Sequence, residues 1–200
     1  MKDKGKRVDV GKIQGFVEVI VRDKHGKIKA HIGRPPTPSI ILKKKNNPHG
    51  NPHSYPIFSS LPAKTIDMEY WRKNIITNAG LAEIVRLVFS GLTGTKFGYL
   101  AIGTGTTSES ASDTALETEL ARKTASVSQT TTTISNDTAL LEATFSSADG
   151  LSGTSAVSEA GIFNASSGGT LLARKTFSAV NVNWDAGDSL TIRYYVQFTR

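Results

Sequence analysis

Strict alternation of apolar and other residues toward the C-terminus constrains this chain more than any other feature. Leu190, Ile192, Tyr194, Val196 and Phe198 alternate with Thr191, Arg193, Tyr195 and Gln197. Phe97, Tyr99 and Ala101 alternate with Gly98, Leu100 and Ile102, and Leu141, Ala143 and Phe145 with Leu140, Glu142 and Thr144. A repeat of two places successive side chains on opposite faces, so these stretches read as half-buried strands. Adding 122–134, 157–163 and 171–182 gives about six strands separated by Gly, Ser and Asp clusters. The expected fold is mainly β, an antiparallel β-sandwich (jelly-roll-like). One helix interrupts the pattern. Thr77 or Asn78 can cap it, Leu81, Ile84, Val85 and Val88 recur at helical spacing as a single apolar stripe, and Gly91 can end it.

The formal charge of +7 divides unevenly. Residues 1–64 hold 14 Lys/Arg against 4 Asp/Glu, giving +10, and residues 65–200 hold 10 against 13, giving −3. All seven prolines and all four histidines also lie in the first part. Two segments are therefore expected: 1–64 as a basic N-terminal tail, a β-hairpin and a Pro-rich extended arm, and 65–200 as the helix plus the β-sandwich. Phe16 to Val21 and Lys27 to Ile32 form the arms of the hairpin around a turn at Asp23 to Gly26. Within the arm, Ile40, Ile41 and Leu42 are an apolar island next to Lys43, Lys44 and Lys45. These six residues are the expected partner-binding residues, because three apolar side chains can fill a groove while three lysines answer an acidic neighbour.

Other chemistry finds little support. The chain has no cysteine, which excludes disulfides, thiolate zinc sites and cysteine nucleophiles. No run approaches 18 apolar residues, so neither a membrane partner nor a membrane span is expected. Gly103-Thr104-Gly105-Thr106-Thr107 follows a strand but lacks the lysine of a phosphate loop and the third glycine of a dinucleotide loop, and it reads as a sharp turn at a strand end. His49 and His53 have metal-site spacing in a Pro- and Gly-containing string that no helix tolerates. The candidate catalytic acids are Asp113, Glu117, Glu119, Glu142, Glu159, Asp185 and Asp188. With no histidine after His53 to complete a triad, no enzyme and no cofactor are expected. Glu117 and Glu119 read instead as ion-pairing or helix-starting acids near Ser112-Asp113 and Arg122. Ser108 to Ser112 reads equally well as a linker or as a structured loop.

Residues 74–122 carry a more specific signal. Thr77-Asn78-Ala79-Gly80-Leu81 leads to Ala101-Ile102-Gly103-Thr104-Gly105, then to Asp113-Thr114-Ala115-Leu116 and a Glu119 to Arg122 ending. Ser158-Glu159-Ala160-Gly161-Ile162-Phe163-Asn164 and Gly169-Thr170-Leu171-Leu172-Ala173-Arg174 follow. Over about residues 74–200 this order resembles the attachment-type domain of tailed-bacteriophage tail-fibre and tail-collar proteins. The resemblance implies structural roles: Ala79 and Gly80 for close packing of a helix start, Gly103 and Gly105 for a strand exit, and Glu119 paired with Arg122 or Arg174. It implies a non-enzymatic virion structural protein of a tailed virus, assembled in the host cytoplasm. A tail, baseplate or fibre-attachment adaptor is expected, binding other virion proteins and forming a homo-oligomer, with a trimer favoured. The alternatives are a head decoration, cement or neck protein and, from another class, a nucleic-acid-binding protein using the basic segment.

Overall fold

The computed structural model describes residues 12–33, 73–89 and 91–199. Its strands are β1 (Lys12–Arg22), β2 (Ile28–Ile32), β3 (Lys73–Ile76), β4 (Tyr99–Gly103), β5 (Glu119–Thr124), β6 (Ser126–Thr130), β7 (Thr138–Phe145), β8 (Thr154–Phe163), β9 (Leu171–Asn183) and β10 (Ser189–Thr199). The helix α1 (Asn78–Val88) follows β3. Over the described residues the fold is mainly β with one α-helix, as the alternation and the capped stripe imply.

The strands join in one antiparallel path, β5-β4-β8-β9-β3-β1-β10-β7-β6, with β2 added to β1. β3 is the turning point. It pairs with β1 through Gly15↔Asn74 and with β9 through Ile75↔Arg174, linking the two halves of the path. The halves share one core. Val17, Val19, Val21, Leu141, Phe145, Leu190 and Ile192 from one half meet Leu100, Ile102, Val157, Ile162 and Val182 from the other. Tyr194 Oη on β10 donates to Ala160 O on β8 at 2.8 Å, a polar tie across that core.

Two findings refine the sequence reading. The hairpin β1–β2 forms around the expected turn, with a bulge at Val21/Arg22, but β1 is not an appendage. It pairs with β10 from Lys12↔Thr199 to Arg22↔Ser189, and its valines are in the shared core. The division after Lys64 thus follows charge, not packing. The stretch 122–134, expected as one strand, spans two strands in different halves: β5 pairs with β4 and β6 with β7. Ala125, whose N–H donates to Gly98 O at 2.8 Å, marks the crossing. The threonine run then ends in a turn because Asp137 accepts the backbone N–H groups of Thr132, Thr133 and Ile134 at 2.8 to 2.9 Å.

Candidate functional site

Residues 104–118, between β4 and β5, lie over a buried charge cluster. Glu159 stands opposite Gly103 in the β4–β8 register, and its side chain is fully buried. Its carboxylate accepts the N–H groups of Gly105 at 3.0 Å, Glu117 at 3.1 Å and Thr118 at 2.8 Å, together with Arg174 Nε at 2.9 Å. Arg174, on the neighbouring β9, also donates to Asp113 at 3.0 Å and lies 3.7 Å from Glu117. Glu117 accepts the N–H groups of Thr106 and Thr107 at 2.7 and 2.8 Å. Beside this group, Lys175 pairs with Glu109, which also accepts Thr176 Oγ1 at 2.6 Å. A buried carboxylate of this kind is tolerable only when paired and hydrogen-bonded, and here both conditions hold.

The electrostatics follow from these contacts. Burial works to raise the Glu109 carboxyl, but hydrogen bonds from Lys175 and Thr176 outweigh it and hold the group at about 2. Glu117 is lowered chiefly by the Thr107 N–H and hydroxyl. Burial opposes the charge on Arg174, yet Asp113 and Glu159 hold its proton more firmly than in a free arginine. The same contacts explain the glycines. A Cβ on Gly103 would stand 2.3 Å from Thr118 O, and one on Gly105 would stand 2.5 Å from Glu159 Oε1. Neither residue has positive φ. Their role is to let the backbone press onto the cluster, which differs from the conformational freedom that a sharp exit would require.

The acids singled out from sequence are therefore distributed. Asp113, Glu117 and Glu159 converge on Arg174, while Glu119 pairs with Arg122 at 2.6 Å and not with Arg174. Glu142 pairs with Arg193, Asp188 pairs with Lys29, and Asp185 lies in the turn after β9. No helix starts at Ser112-Asp113, and the segment Ser108 to Ser112 belongs to the loop that Glu109 and Asp113 tie down. The chemistry of the Arg174 cluster is to fasten this loop.

The described surface offers a different kind of site on α1. Thr77 caps the helix by accepting Gly80 N–H at 2.9 Å, and its own N–H donates to Leu172 O at 2.9 Å. Gly80 presses on β9, where a Cβ would come within 2.7 Å of Leu172 Cα and O. Glu83, buried on the same side, accepts Thr95 N–H and Arg86 Nη1. The contact face is thus Gly80, Glu83 and the half-buried Ile84. At 100° per residue, the stripe of Leu81, Val85 and Val88 is centred about a third of a turn away. Leu81 is 42%, Val85 49% and Val88 67% exposed, with Phe89 at 61% and Leu92 at 52% beyond the helix end. Of the expected stripe, Ile84 packs on the core, while Leu81, Val85 and Val88 lie outside, because the close approach that Gly80 allows fixes the rotation of the helix.

The expected partner residues Ile40, Ile41, Leu42, Lys43, Lys44 and Lys45 lie outside the described residues, as do His49 and His53. The β1–β2 turn presents exposed Lys24, His25 and Lys27 beside an open depression that reaches Asp185 and Gly187. Among the described residues, no group of three or more His, Cys, Asp or Glu side chains is placed to hold a metal ion, and no helix is long and apolar enough to cross a membrane. Comparisons with protein-family models, with curated proteins and with solved structures find no match.

Proposed function

We propose that this chain is a non-enzymatic structural subunit of a tailed-virus particle, acting as a tail, baseplate or fibre-attachment adaptor that assembles through its β domain and N-terminal arm. The observation that carries the reading is the apolar face of α1, held outward by the Thr77 and Gly80 contacts. A contiguous exposed apolar patch on a folded domain marks an interaction site. The resemblance over residues 74–200 supports the virion setting. The strings behind it fall on structural positions: the Thr77 cap, the Gly80 approach, the glycines beside Glu159, and the Glu159–Arg174 pair. In this reading the Arg174 cluster makes a rigid scaffold and the arm residues Ile40 to Lys45 supply a second contact to neighbouring virion proteins.

The test is composition and position. Particles purified from infected cells should contain the subunit at a fixed copy number, and a labelled version should localise to the tail. Localisation to the head surface instead would move the assignment to a decoration, cement or neck protein. Incorporation of Ile41→Asp and of the Lys43, Lys44 and Lys45 triple Glu variant would measure the contribution of the arm. The basic β1–β2 turn and the +10 segment favour a second reading, nucleic-acid binding. Stoichiometric duplex binding that persists at about 0.2 M salt would support it, since non-specific phosphate contacts weaken steeply with salt.

A further inference from the structure

We infer that the exposed seam of α1 is a homotypic contact, packed in the assembled protein against α1 of a second copy of this chain. The inference deepens the reading of the chain as an assembling subunit and rests on it for its biological setting, but self-association itself can be measured without particles. Leu81, Val85 and Val88 are spaced by four and then three residues, and Leu92 continues the pattern after the helix ends. This average of 3.5 residues is the spacing of a narrow helix-to-helix seam, in which each apolar side chain enters a gap between residues of a facing helix. The side turned to β9 carries Gly80, Glu83 and the half-buried Ile84, so Ile84 is already covered by the domain and Leu81, Val85 and Val88 are left as the outward seam.

Charge and area point to a copy of the same helix as the occupant. Of the two charged residues in α1, Glu83 is buried against Arg86 and Thr95, and Arg86 projects on the side away from the seam. Asn78 and Ala82 flank the seam on its outer side, and neither is charged. A second copy therefore brings no like charge opposite a like charge, whereas a strongly acidic or basic partner finds nothing on this face to answer it. Leu81, Val85, Val88, Phe89 and Leu92 together expose on the order of 500 Å² of apolar surface, near the upper limit for a monomer surface. A stable interface needs about 800 Å² per partner, so the seam suffices as an apolar centre with a polar rim around it. Eleven residues are too few for a helix to hold its shape alone, but α1 is fixed by its cap and by β9.

The experiment is sedimentation equilibrium and light scattering on the full chain across a concentration series. Wild type should be a dimer or trimer, and Val85→Glu should weaken association at least 100-fold. Val85 is 49% exposed, so the thermal melt of the Val85→Glu monomer should show an intact fold. Val85→Lys should behave likewise, and mixing the Glu and Lys variants should restore association, which only a contact between copies of this helix produces. A wild-type chain that stays monomeric at about 100 μM overturns the inference, because its free energy of association would then be weaker than that of a stable oligomer. Retained association in Val85→Glu overturns it equally, as does failure of the mixed variants to pair. A chain that self-associates through α1 but is absent from particles would refute the virion reading alone. A monomeric chain found in particles would refute the seam alone.

Discussion

Replacing Glu159 by glutamine removes one charge and one acceptor from the centre of the Arg174 cluster. The carboxylate holds three backbone N–H groups and one guanidinium N–H at 2.8 to 3.1 Å. The glutamine oxygen can keep part of this set, but its NH2 group must face a donor, either Arg174 or an amide of the loop. Breaking one side of a buried pair costs about 3–5 kcal/mol, because the remaining charge stays out of water. With one oxygen retained, the lower end applies, about 3 kcal/mol. For a domain of this size that corresponds to a loss of about 6–12 °C in Tm. Urea unfolding at pH 7 followed by tryptophan fluorescence gives the value, with Trp184 of the two tryptophans as the core reporter, since its indole is buried and donates to Ser155 Oγ. Hydrogen exchange adds a local readout: the amides of Gly105, Glu117 and Thr118 should lose protection while those of β10 keep theirs. The exposed Glu117 should tolerate the same change with a far smaller loss. A Glu159→Gln protein within about 0.5 kcal/mol of wild type, a change typical of an ordinary surface position, with those amides still protected, would refute the view that this carboxylate fastens the loop.

Gly80→Ala should destabilise the fold although alanine is the better helix former: overpacking against Leu172 backbone costs about 1–3 kcal/mol, against about 1 kcal/mol gained in propensity. A raised Tm would show that the helix can back away from β9. Tyr194→Phe should cost about 1 kcal/mol by removing the buried bond to Ala160 O, measured by the same urea series. Acid should weaken the fold in a defined window. Glu109 is held at about 2 in the folded chain, below its ordinary 4.5, so its contribution is complete above 4.5 and lost as pH falls toward 2. Glu18, Glu117 and Asp137 are lowered too, and add in the same direction. Thermal melts should therefore be level from neutral pH to about 5 and fall below it, with Glu109→Gln starting lower and meeting wild type near pH 2. A Glu109→Gln curve parallel to wild type throughout would contradict the pairing with Lys175.

The parts of the fold that were legible in sequence are those that short-range physics decides. Alternation reveals β10 because its Leu190, Ile192 and Tyr194 enter the core, although Phe198 at the end of the same pattern is exposed. The cap at Thr77 is visible because a threonine before a helical stripe satisfies a free N–H locally. The direction of that stripe is not local. It depends on how closely Gly80 approaches Leu172, a residue far away in sequence. The spacing of Leu81, Ile84, Val85 and Val88 marks an amphipathic helix, but it does not tell that Ile84 packs on the core while the other three stay exposed. The strand at Phe16 to Val21 is legible in its β-rich run, but the charge division hides that β1 pairs with β10 and sends Val17, Val19 and Val21 into the shared core. Glu159 reads in sequence as one acid among several and Arg174 as a possible partner of Glu119; only the β8–β9 register, with Glu159 opposite Thr176 and Gly161 opposite Arg174, makes the two diagonal neighbours.

The central claim, that the chain is a built-in component of a virus particle, is tested most directly by quantitative mass spectrometry of density-purified particles combined with imaging at subunit resolution. The account predicts the intact chain in every particle at a fixed copy number, on the tail, with the α1 helices of neighbouring copies in contact. Infectious particles of normal composition that lack the chain would contradict it.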